Sequence, residues 1–173
     1  MGNPASEYVH ASSESSPVHA YIADHGEAVD SSAIRHDTIA GHSVAVSDTL
    51  TDAERELVAE AIRAIEPRAR ACFDNSLQMW KHNGRFKYAE GFAVPPGAGS
   101  GGLEHAWCML DGEKLVDVTT PFVHYHGVMI TDGETLRQHH ESGPECGVIG
   151  NHTNRFEFLR ERGYIEEHCS QGR

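Results

Sequence analysis

The chain has 173 residues, enough for one domain with a buried core and too few for two of ordinary size. Asp and Glu outnumber Lys and Arg by 26 to 14 for a formal charge of −12, which excludes the basic footprint of a nucleic-acid binder. No run of about 18 apolar residues occurs and no basic start precedes an apolar core, so the expectation is a soluble, unexported, cytoplasmic protein with no membrane contact.

Residues 1–48 contain "ASSESSP", few large apolar side chains, and seven acids against one Arg. Such a segment buries little surface to offset its ordering entropy, so it reads as an acidic, flexible N-terminal arm. "YVHA" and "VHAYIA" would each supply a short edge strand, and an arm docked over a site would be autoinhibitory. Residues 49–173 then form the single domain. Its first helix is "TLTDAERELVAEAIRAIEP": Thr51 and Glu54 have capping-box spacing, Leu57, Val58, Ala61, Ile62 and Ile65 make one stripe, and Pro67 stops it. A second helix is expected over 68–80, with Ala69, Cys72, Phe73, Ser76, Leu77 and Trp80 on one face and "HNG" closing it.

"RFKYAEGFAVPP" alternates as a strand and puts the carboxylate of Glu90 on an apolar face beside Tyr88 and Phe92. After "PPGAGSGG" comes "GGLEHAWCMLDGEKLVDVTTP", two apolar runs around Asp111-Gly112, and then "FVHYHGVMI" as a further strand. Thr131 and Glu134 repeat the capping-box spacing before "TLRQHHE", and "RFEFLRERG" is a last short helix closed by Gly163. Helices first, then strands, then helices make the chain α+β with an antiparallel sheet.

The turn at Asp111-Gly112 decides which residues meet. A two-residue turn would put His105 and Asp117 on opposite faces. A three-residue loop ending in Gly112 pairs Met109 with Glu113 and, carried along the ladder, makes His105 and Asp117 direct cross-strand neighbours. Opposed Cβ atoms lie about 4.5–5.5 Å apart, close enough for a carboxylate to orient an imidazole. The same pair is also readable as a structural hydrogen bond across a hairpin.

An oriented imidazole serves as a general base for a nucleophile. The four cysteines, Cys72, Cys108, Cys146 and Cys169, are single, with no CxxC, so free thiols are expected rather than a zinc knuckle or disulfide framework. Cys72 alone falls in the first turns of a predicted helix, where unpaired N–H groups and the macrodipole favour a thiolate. As a bland alternative, Cys72 is a small hydrophobe on the helix stripe.

"ARACFDNSLQMW", "FKYAEGFAV", "LEHAWCMLDGEKLVDVT" and "YHG" together resemble the small papain-like and transglutaminase-like cysteine hydrolases, in particular uncharacterised microbial and viral forms. The likeness runs over about residues 66–127. It implies a papain-like or transglutaminase-like core with N-terminal helices packed on an antiparallel sheet, and a cysteine hydrolase or acyltransferase needing no cofactor. The substrate would be a peptide, amide or other acyl compound, cleaved at an amide, isopeptide or thioester bond. By this resemblance Cys72 is the nucleophile, His105 the base and Asp117 its orienting acid. Asn75, Tyr88, Glu90 and Trp107 match positions that line or brace the site.

Other readings of single residues stay open. Glu90 is a substrate-binding carboxylate or a buried group satisfied by backbone donors, and Trp107 a core residue or a substrate platform. His124 and His126 share a strand face and, with His105 and Asp117, are the candidate ligands of a metal-dependent hydrolase. A non-catalytic binding module on the same fold is the remaining alternative.

Overall fold

Asn3 opens the first helix, α1 (Pro4–Ala11). Its Oδ1 accepts the N–H groups of Ala5 and Ser6, while Pro4 occupies a position where no N–H is needed. Pro17 begins α2 (Pro17–His25) in the same way, and Val18, Tyr21 and Ile22 bury one stripe of it. The computed structural model describes residues 2–99 and 101–166. In it the two segments expected as edge strands are these helices, because short apolar runs carry no decisive period and the prolines at both starts, with the Asn3 cap at the first, settle the matter.

The rest of the expected arm is also ordered. Strand β1 (Glu27–Ala28) and a 3-10 turn at Ser31–Ala33 lead into a hairpin of β2 (Ile34–Ile39) and β3 (His42–Ser47). The arm has few large apolar residues, but Val9, Val18, Tyr21, Ile22, Ile39, Val44 and Val46 are all buried in the core. Sheet hydrogen bonds account for the remaining order, so composition alone understated this segment.

Helix α3 (Asp52–Ile65) has the expected capping box, with Thr51 and Glu54 exchanging hydrogen bonds, and ends at Glu66 in a left-handed conformation. Helix α4 (Cys72–His82) starts later than its apolar stripe suggests. The Asn75 side chain accepts from the Arg68 N–H at 3.0 Å and donates to the Arg68 carbonyl at 2.8 Å. Those bonds hold residues 68–71 in a loop, with Arg70 at φ 63°, so the helix begins at Cys72.

Four more strands, β4 (Phe86–Val94), β5 (Leu103–Leu110), β6 (Lys114–Asp117) and β7 (His124–Met129), complete a curled antiparallel sheet of order β1-β7-β4-β5-β6-β3-β2. Helices α5 (Gly133–Glu141) and α6 (Glu157–Glu161) follow. The cap of α5 is Asp132 rather than Thr131, since Asp132 Oδ1 accepts the Glu134 N–H. One sheet face, with Phe86, Cys108, Leu110 and Val116, packs with Val58, Ile62 and Met79 of α3 and α4. On the other face Ala45, Ala89, Ala93, Trp107, Leu115, Phe122 and Tyr125 form a separate cluster. The fold is therefore α+β, and none of the described helices is long and apolar enough to cross a membrane.

The β5–β6 hairpin corrects the expected register. Leu110 pairs with Lys114, Met109 with Leu115 and Cys108 with Val116. Asp111 and Gly112 both have left-handed φ, 53° and 78°, as in a mirror-image two-residue turn, but Glu113 is an extra residue on the β6 side. Arg85 pins the turn, gripping the Asp111 carboxylate at 2.9 and 2.6 Å and accepting the Asp111 N–H at 2.8 Å. The extra residue keeps His105 and Asp117 on one face. It moves them from opposed to diagonal positions.

Candidate active site

The ladder between β5 and β6 ends at Cys108 and Val116, so His105 and Asp117 extend past its paired part. There His105 Nε2 meets Asp117 Oδ2 at 2.6 Å, with both side chains almost wholly buried. Across the sheet from His105 lie Gly91 on β4 and then Gly127 on β7. A Cβ at Gly127 would come within 2.6 Å of the Trp107 ring and 2.5 Å of the Glu90 carbonyl, so that position has room for glycine alone. On β3, Ala45 pairs with Asp117, leaving the carboxylate uncrowded.

Asp117 is fixed from four directions. Besides His105, its Oδ2 accepts from the Tyr125 hydroxyl at 2.9 Å, and its Oδ1 accepts from the backbone N–H groups of Thr119 at 2.9 Å and Thr120 at 3.4 Å. Tyr125 in turn accepts the Phe122 N–H at 3.2 Å, and the Phe122 ring stands edge-on to His105 at 4.6 Å between centroids. Burial and the adjacent Asp117 charge raise the Tyr125 pKa well above its ordinary value, so the phenol stays a donor.

Cys72 occupies the first position of α4, with its side chain buried. Its thiol is among the groups that raise the His105 pKa. With Nε2 taken by Asp117, Nδ1 is the ring nitrogen left for the sulfur. Burial by itself lowers the His105 pKa, but the charge and hydrogen bond of Asp117, followed by the interactions with Cys72, reverse this and raise it to about 10. The imidazolium is thus favoured between an acid and a sulfur. Burial pushes the Cys108 thiol up, and it donates to the Ser76 carbonyl at 3.4 Å. Burial likewise raises Cys146, which donates to Asn151 Oδ1 at 3.3 Å. Cys169 lies outside the described residues.

The four bracing candidates do different things. Asn75 links the loop before Cys72 to the loop after β6 by donating to Thr119 Oγ1 at 2.9 Å, and Thr119 is one of the residues that hold Asp117. Glu90 is a buried carboxylate that accepts from the Tyr88 hydroxyl and from the N–H groups of Val148 and Ile149. These bonds fasten β4 to the loop at 147–150 and use up the acceptor capacity that a substrate would need. Burial raises the Glu90 pKa against the pull of those donors. Trp107 is 2 % exposed and packs edge-on to Tyr125 at 5.1 Å, while its Nε1–H makes no hydrogen bond among the described residues.

The histidines proposed as metal ligands diverge. His124 Nδ1 bonds Ser31 Oγ at 2.6 Å, and His126 Nε2 reaches the Ile22 carbonyl at 3.4 Å. Among the described residues no group of three or more His, Cys, Asp or Glu side chains converges as metal ligands would. The sequence reading missed Tyr125 and Thr119. For Tyr125 a signal existed, since it alternates with His124 and His126 and so faces the other side of the sheet. Comparison with protein-family models, curated proteins and solved structures returned no match.

Proposed function

We propose that the protein is a cysteine-dependent hydrolase or acyltransferase acting on an amide, isopeptide or thioester bond. The observation that carries this reading is the buried bond between Asp117 Oδ2 and His105 Nε2, at 2.6 Å, with a cysteine at a helix start among the groups that act on the His105 ring. The Cys72 proton resides on His105 Nδ1 before the attack, and Sγ bonds to the acyl carbon. The backbone N–H of Cys72, unpaired within α4, serves as one donor to the developing oxyanion. As the carbon–nitrogen or carbon–sulfur bond breaks, the imidazolium returns a proton to the leaving group. Water or an amine then attacks the thioester, and His105 takes the proton that this nucleophile sheds. Asp117 keeps the tautomer and steadies the imidazolium throughout. A papain-like or transglutaminase-like arrangement of the core belongs to the same proposal.

The test is incubation with a panel of acyl substrates, comprising p-nitrophenyl esters, peptide amides, isopeptides and thioesters. Intact-mass measurement and peptide mapping then locate any adduct. An acyl group on Cys72 is the expected result. Turnover that survives iodoacetamide but not chelators, or in Cys72→Ala, would overturn the assignment in favour of the metal-dependent reading.

A further inference from the structure

Away from Cys72 and His105, a cavity of about 470 Å³ opens between α5, α6 and the loop at 143–154. Its size falls in the range of small-ligand sites, about 300–1,000 Å³. Three carboxylates line it, Glu145, Glu157 and Glu161, and among the described residues no Lys or Arg does. Glu145 and Glu157 have no ion-pair partner among the described residues, whereas Glu161 has Arg162 at 3.9 Å. His139 adds no compensating charge: its Nε2 bonds the Cys146 carbonyl at 2.8 Å, and burial lowers its pKa, so the ring is neutral at neutral pH.

Asn151 gives a second, independent indication. It is 7 % exposed and lines the cavity. Its Oδ1 is saturated by Cys146 Sγ at 3.3 Å and by the N–H groups of Thr153 at 3.1 Å and Asn154 at 3.2 Å. Its Nδ2 makes no hydrogen bond among the described residues, so this side chain of the cavity lining has a donor to spare. Val148 and Phe158 supply buried apolar surface beside it.

We propose that this cavity is a binding site for an organic cation, an ammonium or guanidinium group on a short aliphatic stem, with a carbonyl or carboxylate acceptor to meet Asn151 Nδ2. The carboxylates attract the cation, Val148 and Phe158 cover the stem, and the amide fixes the other end. Lysine carries these features either as a free amino acid or as a residue of a peptide.

The experiment is NMR titration of the full chain with free lysine and, in a second arm, with acetyl-Ala-Lys-Ala-amide. Norleucine and the norleucine peptide are the neutral counterparts. Saturable shifts at residues 135–161, at least tenfold weaker with the neutral probe and at least tenfold weaker in the Glu145→Gln/Glu157→Gln double variant, are expected in one arm. Which arm binds identifies the source. Absence of saturation in both arms, equal binding of norleucine, or unchanged binding in the double variant would overturn the proposal. The exposed pair of substitutions leaves the core intact, and unchanged amide shifts elsewhere verify that. Cys72 plays no part, so the outcome is independent of the proposed chemistry.

Discussion

His105 is buried in a site that by burial alone favours the neutral ring, and Asp117 with Cys72 overcomes that to bring its pKa to about 10. A histidine whose folded pKa is raised from its unfolded value of about 6.5 contributes stability that is complete below that value and is lost as pH rises through about 10. Turnover should therefore hold through neutral pH and fall above about pH 10, where the leaving group loses its proton donor. Asp117→Asn should move that limb to lower pH and cost about 10⁴-fold in rate, because an amide cannot steady an imidazolium. Cys72→Ala should abolish turnover with the thermal midpoint little changed, as measured by scanning calorimetry beside a substrate assay. A pH limb that stays put in Asp117→Asn would show that the acid does not act through His105. Tyr125→Phe removes one donor from Asp117 and the acceptor of the Phe122 N–H; a stability loss of about 1–3 kcal/mol is expected, with a rate loss smaller than that of Asp117→Asn. The histidine and its acid were legible because their spacing around Asp111-Gly112 leaves few pairings. For Tyr125 only the sheet face was legible, from its alternation with His124 and His126, since no local spacing ties a tyrosine hydroxyl to a carboxylate eight residues back.

At the scale of elements, caps and parity decide what the apolar pattern leaves open. Asn75 shortens α4 at its start and so makes Cys72 the first residue of the helix, which no propensity argument predicts. Glu113 restores by an extra residue the face-sharing that a plain Asp-Gly turn would destroy. The α1–α2 hairpin docks through rings: His19 stacks on Phe92 at 4.2 Å between centroids and reaches the Tyr8 hydroxyl at 3.3 Å, and His126 of β7 lies under His10 at 5.6 Å and bonds the Ile22 carbonyl. Burial lowers the pKa of both His19 and His126, and His10 adds to the lowering at His126. The sign follows from linkage: the unfolded chain takes up these protons near pH 6.5, so the stabilisation is present above about 6.5 and lost as pH falls toward the lowered folded values. Acidification from about pH 7.5 to about pH 5.5 should speed hydrogen exchange, corrected for intrinsic rates, in residues 4–25 more than in α3, which contains no histidine. Equal acceleration in both would mean that acid loosens the molecule as a whole and that these rings do not govern the hairpin.

Across the whole molecule the α+β class could be read from the order of apolar patterns, but the sheet order could not. The pairing of β3 with β6 and of β1 with β7 joins segments distant in sequence, and a single chain's periodicity carries no record of which edges meet. That is why residues 1–48, judged on composition, looked unable to fold while they supply the strand beside Asp117. The charge balance leads to a further expectation. Among the described residues several basic groups are engaged locally, Arg55 with Asp37, Arg63 with Glu56, Arg68 with Asp74, Arg85 with Asp111, Lys114 with Glu54, and Arg137 with Glu134 and Glu141. Most of these pairs are substantially exposed, and exposed pairs contribute about 0–1 kcal/mol each. Against them stands an excess of 12 negative charges on a chain of 173 residues. Raising KCl from about 0.1 M to about 1 M shortens the Debye length from about 10 Å to about 3 Å, which weakens the pairs slightly and the long-range repulsion strongly. The thermal midpoint should therefore rise with KCl, and by a similar amount with NaCl, since screening depends on ionic strength rather than on the identity of the salt. Sulfate is avoided because its exclusion from the surface stabilises any protein. A midpoint that falls with added chloride salt would show instead that the local pairs outweigh the net repulsion.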